Sequence, residues 1–241
     1  MLRKMFWCTL IILSMSCSTL KVQQQTQRTS DQVPTLGSIG VVTGNLLNYS
    51  FRTYTQPELE EGIRLEMKKL PFTEKQFRVF DEQMKRSAET HTLIYSDSLE
   101  KKPYFFNFTI VDLIGLKKVM NSASNTTLRE SLKTDADLRM VTTFSAVLTS
   151  GQEQLLSQAE AFYLVNIGAS RLGIALVANN KTEHILDLEE LQPFAWNDAG
   201  FCWGNNQRRQ PEIKAIRPQS CPQSTYKNAQ KLIKDNEDIG F

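Results

Sequence analysis

The stretch LRMVTTFSAVLT, Leu138 to Thr149, decides the fold class, because apolar and polar side chains alternate along most of its length. Alternation with a period of two is typical of a strand with one buried face. The side chains predicted to share one face are Met140, Thr142, Phe144, Ala146 and Leu148. The stretch therefore predicts a strand at the centre of a sheet.

Three shorter apolar segments follow at 161–167, 172–178 and 183–188, and short turns rich in Gly, Ser and Asn separate them. Strands joined by such short turns pair antiparallel with their neighbours. Together with residues 138–149 they predict a β-meander. The segment Gln152–Gln158, between the first two strands, is either a helical turn or a mobile loop.

Upstream, the capping-box patterns Thr55-Gln56-Pro57-Glu58 and Thr73-Glu74-Lys75-Gln76 each precede apolar residues at helical spacing. They predict a pair of helices, the first ending near Leu70 and the second near Ala88. The aromatic run Pro103–Leu113 predicts a strand. Further on, the sequence predicts a short helix within Asn121–Lys133 and a last surface helix over Thr225–Asn236.

This order of elements predicts one α+β domain over residues 38–241. We expect an antiparallel β-meander sheet, with the N-terminal pair of helices and the C-terminal helix packed on it.

The N-terminus has the pattern of a secretory signal peptide, which we assign to residues 1–16. Arg3 and Lys4 precede the apolar run Met5–Leu13, and small serines follow. The run is shorter than the ~20 residues that a membrane-spanning helix needs.

The residues Ser14-Met15-Ser16-Cys17 resemble a bacterial lipobox, in the serine-rich form of the Bacteroidota. The resemblance implies that Cys17 becomes the first mature residue and carries lipid on its sulfur. It also implies a lipid-anchored protein of the bacterial cell envelope, expected in the outer membrane. An ordinary secretory cleavage after Ser16, a non-cleaved anchor or a buried first helix remain alternatives.

The segment after Cys17 is rich in Gln, Thr and Ser and contains few apolar residues. Such a composition buries too little apolar surface to offset the entropy of ordering. We therefore predict a flexible tether over residues 17–37.

The charge of the chain indicates which partners to expect. The formal net charge is only +2, and Arg3 and Lys4 of the predicted leader account for two of the cations. Nucleic-acid binding needs a concentrated basic surface, so we expect no nucleic-acid partner.

Four cysteines are present, and each has a predicted place. Cys8 leaves with the leader and Cys17 takes the lipid. Cys202 and Cys221 remain, and a remaining pair in an exported protein predicts a disulfide. A metal site or a reactive thiol is the alternative, but neither cysteine has a nearby histidine or third cysteine in the sequence.

The most unusual composition is FAWNDAGFCWGNN, Phe194 to Asn206. Tryptophan faces beside amides could stack on a sugar ring or anchor a protein partner. The alternative is that the rings pack against the disulfide as a small satellite core. The candidate patch consists of Trp196, Asn197, Asp198, Trp203, Arg208 and Arg209.

We assign no catalytic residue, cofactor or metal from the sequence. His91 and His184 lack partners at ligand spacing, and the adjacent acids Asp187, Glu189 and Glu190 cannot face each other. The sequence thus favours a non-enzymatic binding or assembly module with a protein or glycan partner. The alternative is a hydrolase that cleaves glycan or peptidoglycan with acidic residues.

Replacing Cys17 with alanine should release the protein from the membrane fraction, because acyl chains would supply its hydrophobic attachment. Cell fractionation measures this, and Cys8→Ala is the control that should stay attached. Intact-mass analysis of the native protein should show a chain that begins at Cys17 with acyl groups. A mature mass that begins earlier would contradict the prediction.

Overall fold

The structure is a computed structural model that describes residues 19–45, 48–86, 91–98, 100–168 and 171–233. The predicted leader and Cys17 lie outside the described residues, and lipidation stays a prediction. The strands are β1 (Thr19–Val22), β2 (Gln25–Arg28), β3 (Ile39–Asn45), β4 (Asn48–Thr55), β5 (Ile63–Pro71), β6 (Tyr104–Ile110), β7 (Leu138–Val147), β8 (Ala161–Gly168), β9 (Arg171–Ala178), β10 (Lys181–Asp187), β11 (Gln192–Asn205) and β12 (Pro211–Arg217). The helices are α1 (Glu74–Arg86), α2 (Leu113–Met120), α3 (Thr126–Thr134) and α4 (Ser150–Gln158), and a 3₁₀ turn spans Leu188–Glu190.

The described strands form one antiparallel sheet in the order β1-β2-β11-β7-β6-β5-β8-β9-β10. The sheet branches at two places: β12 pairs with β11, and the hairpin β3–β4 is attached through β3 to β7. The fold is therefore broadly α+β and mostly antiparallel sheet, as predicted.

The predicted meander is confirmed for β8, β9 and β10, which are consecutive neighbours. Asn179 and Asn180 in the last turn have φ of +51° and +61°, the left-handed conformation that a tight hairpin turn favours. The strand β7 does not belong to this meander, because β6 and β5 lie between it and β8. The nine residues of α4 connect β7 to β8 across that gap.

The predicted N-terminal pair of helices is wrong in its first member. Residues 63–71 form β5, in which Leu65 pairs with Ile110 on one side and Phe162 on the other. Pairing on both edges overrides a helical spacing that only a few apolar residues supported. The second capping box is confirmed, since Gln76 N donates to Thr73 Oγ1 at 3.3 Å and Thr73 N to Gln76 Oε1 at 2.9 Å.

The prediction of a flexible tether over residues 17–37 is also wrong in its described part. Strands β1 and β2 form a hairpin, and the side chain of Leu20 is only 1% exposed. Leu20 and Val22 pack into an aromatic cluster under α1 that includes Phe72, Phe80 and Phe194. Two well-placed apolar side chains thus anchor a segment whose average composition is polar.

The C-terminal helix is shorter in the described part than the sequence predicts. Residues 229–233 are helical, and Ala229 and Leu232 join the main core. Thr225 to Asn228 precede the helix, and residues 234–236 lie outside the described ones. No helix in the described part of the chain is long and apolar enough to cross a membrane.

The predicted disulfide is present. Cys202, on the central strand β11, is bonded to Cys221, with the two Cα atoms 5.5 Å apart. The bond links the middle of the sheet to the segment that follows β12.

Replacing Leu20 with alanine should lower the free energy of unfolding by about 3 kcal/mol, because the change leaves a cavity in a packed cluster. Urea unfolding measures the loss. Lys21→Ala, at the neighbouring exposed position, is the control and should unfold almost like the wild type. Equal stability of the two variants would mean that the hairpin is not part of the folded domain.

The double variant Cys202→Ala/Cys221→Ala should also be less stable, by about 3 kcal/mol, because the unfolded chain regains the freedom of a closed loop. Urea unfolding under non-reducing conditions measures this. Alkylation of two free thiols in the oxidised wild-type protein would contradict the premise.

Candidate functional site

The candidate site is a cleft of about 720 Å³ where the β1–β2 hairpin meets the central strands β11, β7 and β6. Neutral hydroxyl and amide side chains dominate its lining. The threonines among the lining residues are Thr19, Thr26, Thr109, Thr142 and Thr143, and the amides are Gln24, Gln25, Asn197 and Gln219. Arg28, Tyr49, Asp198 and several apolar residues complete the wall.

Strand β11 occupies the centre of this region because both of its edges are paired. Residues Gln192–Gly200 pair with β7, while Trp196 lies opposite Arg28 of β2 on the other edge. The candidate-patch composition therefore belongs to a central strand and not to an exposed loop.

Trp196 and Trp203 are not surface groups, since their exposed fractions are 0% and 1%. Both rings belong to the main core. The Trp196 ring meets Phe51 edge-on at 5.2 Å, and its Nε1 donates to Ser30 Oγ at 3.3 Å. The two tryptophans are therefore buried, as the alternative interpretation expected. They lie in the main core, however, and not in a satellite core around the disulfide.

Asp198 is completely buried and lies between two guanidinium groups. Arg28 Nη1 pairs with its Oδ1, and Arg139 Nε donates to its Oδ2. Arg139 also donates Nη2 to the carbonyl of Pro218 at 3.2 Å. A buried charge is tolerated when it is paired in this way, and each carboxylate oxygen faces a guanidinium group.

Arg28 connects this ion pair to the cleft. Its guanidinium lies 5.1 Å from the centre of the Tyr49 ring and 5.3 Å from that of Trp196. Its side chain keeps partial exposure, 28%, whereas Asp198 has none. The guanidinium group of Arg28 therefore contributes to the cleft wall, while the buried carboxylate of Asp198 largely neutralises its charge.

A chain of polar side chains, most of them buried, crosses the sheet beside the cleft. Ser145 Oγ donates to Gln27 Oε1 at 2.8 Å, and Asn107 Nδ2 donates to Ser145 Oγ at 3.0 Å. The chain continues from Asn107 to Thr109 at 3.4 Å and from Thr109 to Thr143 at 3.2 Å. The register explains it, since Asn107 lies opposite Ser145 and Thr109 opposite Thr143.

The candidate-patch residues thus separate into three groups. Asn197 and Asp198 line the cleft, and Trp196 lies behind it in contact with Arg28. Trp203 is buried in the main core and is not among the lining residues. Arg208 and Arg209 are exposed beyond the end of β11, in the turn before β12, and are not among the lining residues. The structure does not bring all six residues into one surface.

Sequence reasoning missed Arg28 and the threonines of β6 and β7. Arg28 fell inside the predicted tether. The available signal was Thr142-Thr143 in a predicted core strand, with Asn107 and Thr109 in the aromatic run of β6. Polar residues inside predicted core strands often mark a site.

The other acids and histidines singled out in the sequence lie elsewhere. Asp187 and Glu189 pair with Arg171, and His184 lies on the exposed strand β10. Among the described residues, no group of three or more His, Cys, Asp or Glu side chains is placed to hold a metal ion.

His91 is largely buried, packs on Phe80 with ring centres 4.7 Å apart, and lies 3.2 Å from Asp81. The hydrogen bond from Lys85 is the main cause that lowers the pKa of the Asp81 carboxyl below its ordinary value, and His91 adds to this. His91 thus has a structural partner outside the cleft.

Comparison with known proteins does not assign the chain to a group. No protein-family model matches it, and neither the curated proteins nor the solved structures contain a significant match.

Replacing Asp198 with asparagine should destabilise the protein by about 3 kcal/mol, because the change leaves two guanidinium groups without their shared counter-charge. Asp137→Asn removes an exposed pair with Lys227 and is the control, with little expected effect. Urea unfolding compares the two variants. Similar midpoints would show that the buried pair does not hold the hairpin in place.

Proposed function

We propose that the protein is a lipid-anchored module of the bacterial cell envelope, at the outer membrane, that binds a hydroxyl-rich ligand such as a glycan in the cleft. Binding is its role, without chemical change to the ligand. The observation that carries the proposal is the lining of the cleft, where neutral hydroxyls and amides predominate and the carboxylate of Asp198 is buried and ion-paired with two guanidinium groups.

The chemistry of the lining suits a sugar. Threonine hydroxyls and the amides of Asn197 and Gln25 can each donate and accept hydrogen bonds, as sugar hydroxyls do. Tyr49 adds an aromatic ring to the wall, which could pack against the apolar face of a pyranose. The volume of about 720 Å³ lies within the usual range for small-molecule sites.

The cleft is also held in shape before any ligand arrives. The polar chain from Gln27 to Thr143 and the pairing of Asp198 fix the groups beside it. A preformed site loses little conformational freedom on binding, which favours affinity.

The disulfide supports the extracytoplasmic part of the proposal. Bonds such as Cys202–Cys221 persist in oxidising compartments and are rare in the cytosol. The lipobox-like residues before Cys17 supply the proposed attachment.

The geometry of the cleft favours binding over hydrolysis. A two-acid glycosidase needs two carboxyl groups roughly 5 to 9.5 Å apart across the scissile bond. Asp198 is the sole acid among the described residues that line the cleft. Its two ion pairs leave it poorly placed to transfer a proton.

We expect an N-acetylhexosamine disaccharide from peptidoglycan to bind, and Tyr49→Ala to weaken its affinity about tenfold through loss of the ring contact. Isothermal titration calorimetry measures both. Tyr54→Ala is the matched control, because Tyr54 lies on the same strand but outside the cleft.

Equal affinity of the two tyrosine variants, or no binding of the disaccharide, would contradict the proposed ligand class. Chromatography of the recovered disaccharide completes the test. Cleavage products that disappear in a variant of a cleft residue would favour hydrolysis instead.

A further inference from the structure

Three apolar residues remain exposed where β6 connects to α2, and we call them the apolar rim: Val111, Leu113 and Ile114. Their exposed fractions are 46%, 44% and 79%. The rim is held in place by Asp112, whose Oδ1 accepts a hydrogen bond from Gly115 N at 2.8 Å at the start of α2. The rim residues are therefore exposed on an ordered segment of the chain.

The apolar rim lies beside the cleft, which the start of the described chain also borders. Leu113 and Thr19 both line the cleft. Thr19 is the first residue of β1, and Cys17 is only two positions earlier in the sequence. Two residues reach at most about 7 Å.

This short distance limits where the proposed lipid can lie. With residues 17–37 as a flexible tether, the domain could stand clear of the bilayer. Since the hairpin is part of the sheet, acyl chains on Cys17 would enter the bilayer close to the cleft. A membrane surface would then approach Thr19, and with it the apolar rim.

We propose that the apolar rim docks into the bilayer that holds the Cys17 lipid, so that the cleft opens at the headgroup layer. The inference rests on the lipid anchor of the proposed function. Apolar side chains that enter the boundary between headgroups and acyl chains gain by leaving water, and they add a second attachment to the acylated end.

The position of the rim favours a bilayer over a protein partner as its occupant. A covalent lipid two residues before Thr19 fixes a membrane at this side of the domain. Ile185 is another exposed apolar residue. It lies on β10, at the end of the strand order opposite β1, and serves as a comparison.

The test uses the acylated full chain, reconstituted into phosphatidylcholine vesicles that contain a nitroxide lipid. Ile114→Cys and the control Ile185→Cys each receive a fluorophore. With Cys17 acylated and Cys202 bonded to Cys221, the new thiol is the one available for labelling in the mature chain. We expect nitroxide to quench the label at 114 to roughly half, since the rim enters the bilayer boundary, and to leave the label at 185 nearly unchanged.

Intact mass, measured first on the same sample, separates the two proposals. A mass without acyl chains would overturn the lipid anchor. An acylated protein whose two labels are quenched equally would overturn rim docking and leave the anchor intact. A label at 114 shielded from aqueous iodide but not quenched by lipid nitroxide would show that a second copy of the chain covers the rim, which also overturns docking to the bilayer.

Discussion

The buried ion pair between Asp198 and the guanidinium groups of Arg28 and Arg139 is the constraint on which the candidate site depends. Asp198 lies on β11, Arg28 on the N-terminal hairpin and Arg139 on β7. One carboxylate therefore joins three strands from distant parts of the sequence. The pairing removes the cost of a lone buried charge, and it places Arg28 against Tyr49 at the cleft wall. The same interaction thus links the N-terminal hairpin to the central strands and leaves a largely neutral cleft beside it.

The elements that could be predicted from sequence were those whose signal is local. The strands β8 to β10, the cap of α1 and the disulfide partners each depend on a few neighbouring residues or on the cysteine inventory. The strand at residues 63–71 could not be predicted from local signal, because Ile63 and Leu65 suit either a helix or a strand. Pairing with β6 and β8 determines that the segment is a strand. The hairpin at 19–28 was missed because composition averages over a window, whereas two buried side chains are enough to dock it.

Of the residues at the candidate site, the sequence predicted only those on the central strand β11. The composition of residues 194–206 drew attention to Asn197 and Asp198, which do line the cleft. The same reasoning took Trp196 and Trp203 as candidates for a surface patch, since tryptophan faces beside amides suit stacking on a sugar ring. Their burial follows from partners on both edges of β11, which a single sequence does not reveal. Arg28 could not be placed there either, because its partner is far away along the chain.

The docking of the first strands against β11 has a consequence for the order of folding. Trp196 donates to Ser30 across a separation of 166 residues, and β11 is the strand that pairs with the second edge of β2. Under the proposed export, the chain would cross the inner membrane with its N-terminus first. The β1–β2 hairpin would then wait, unpaired on one edge, until nearly the whole chain had been translocated. Contacts of such long range form slowly, and an open strand edge invites aggregation.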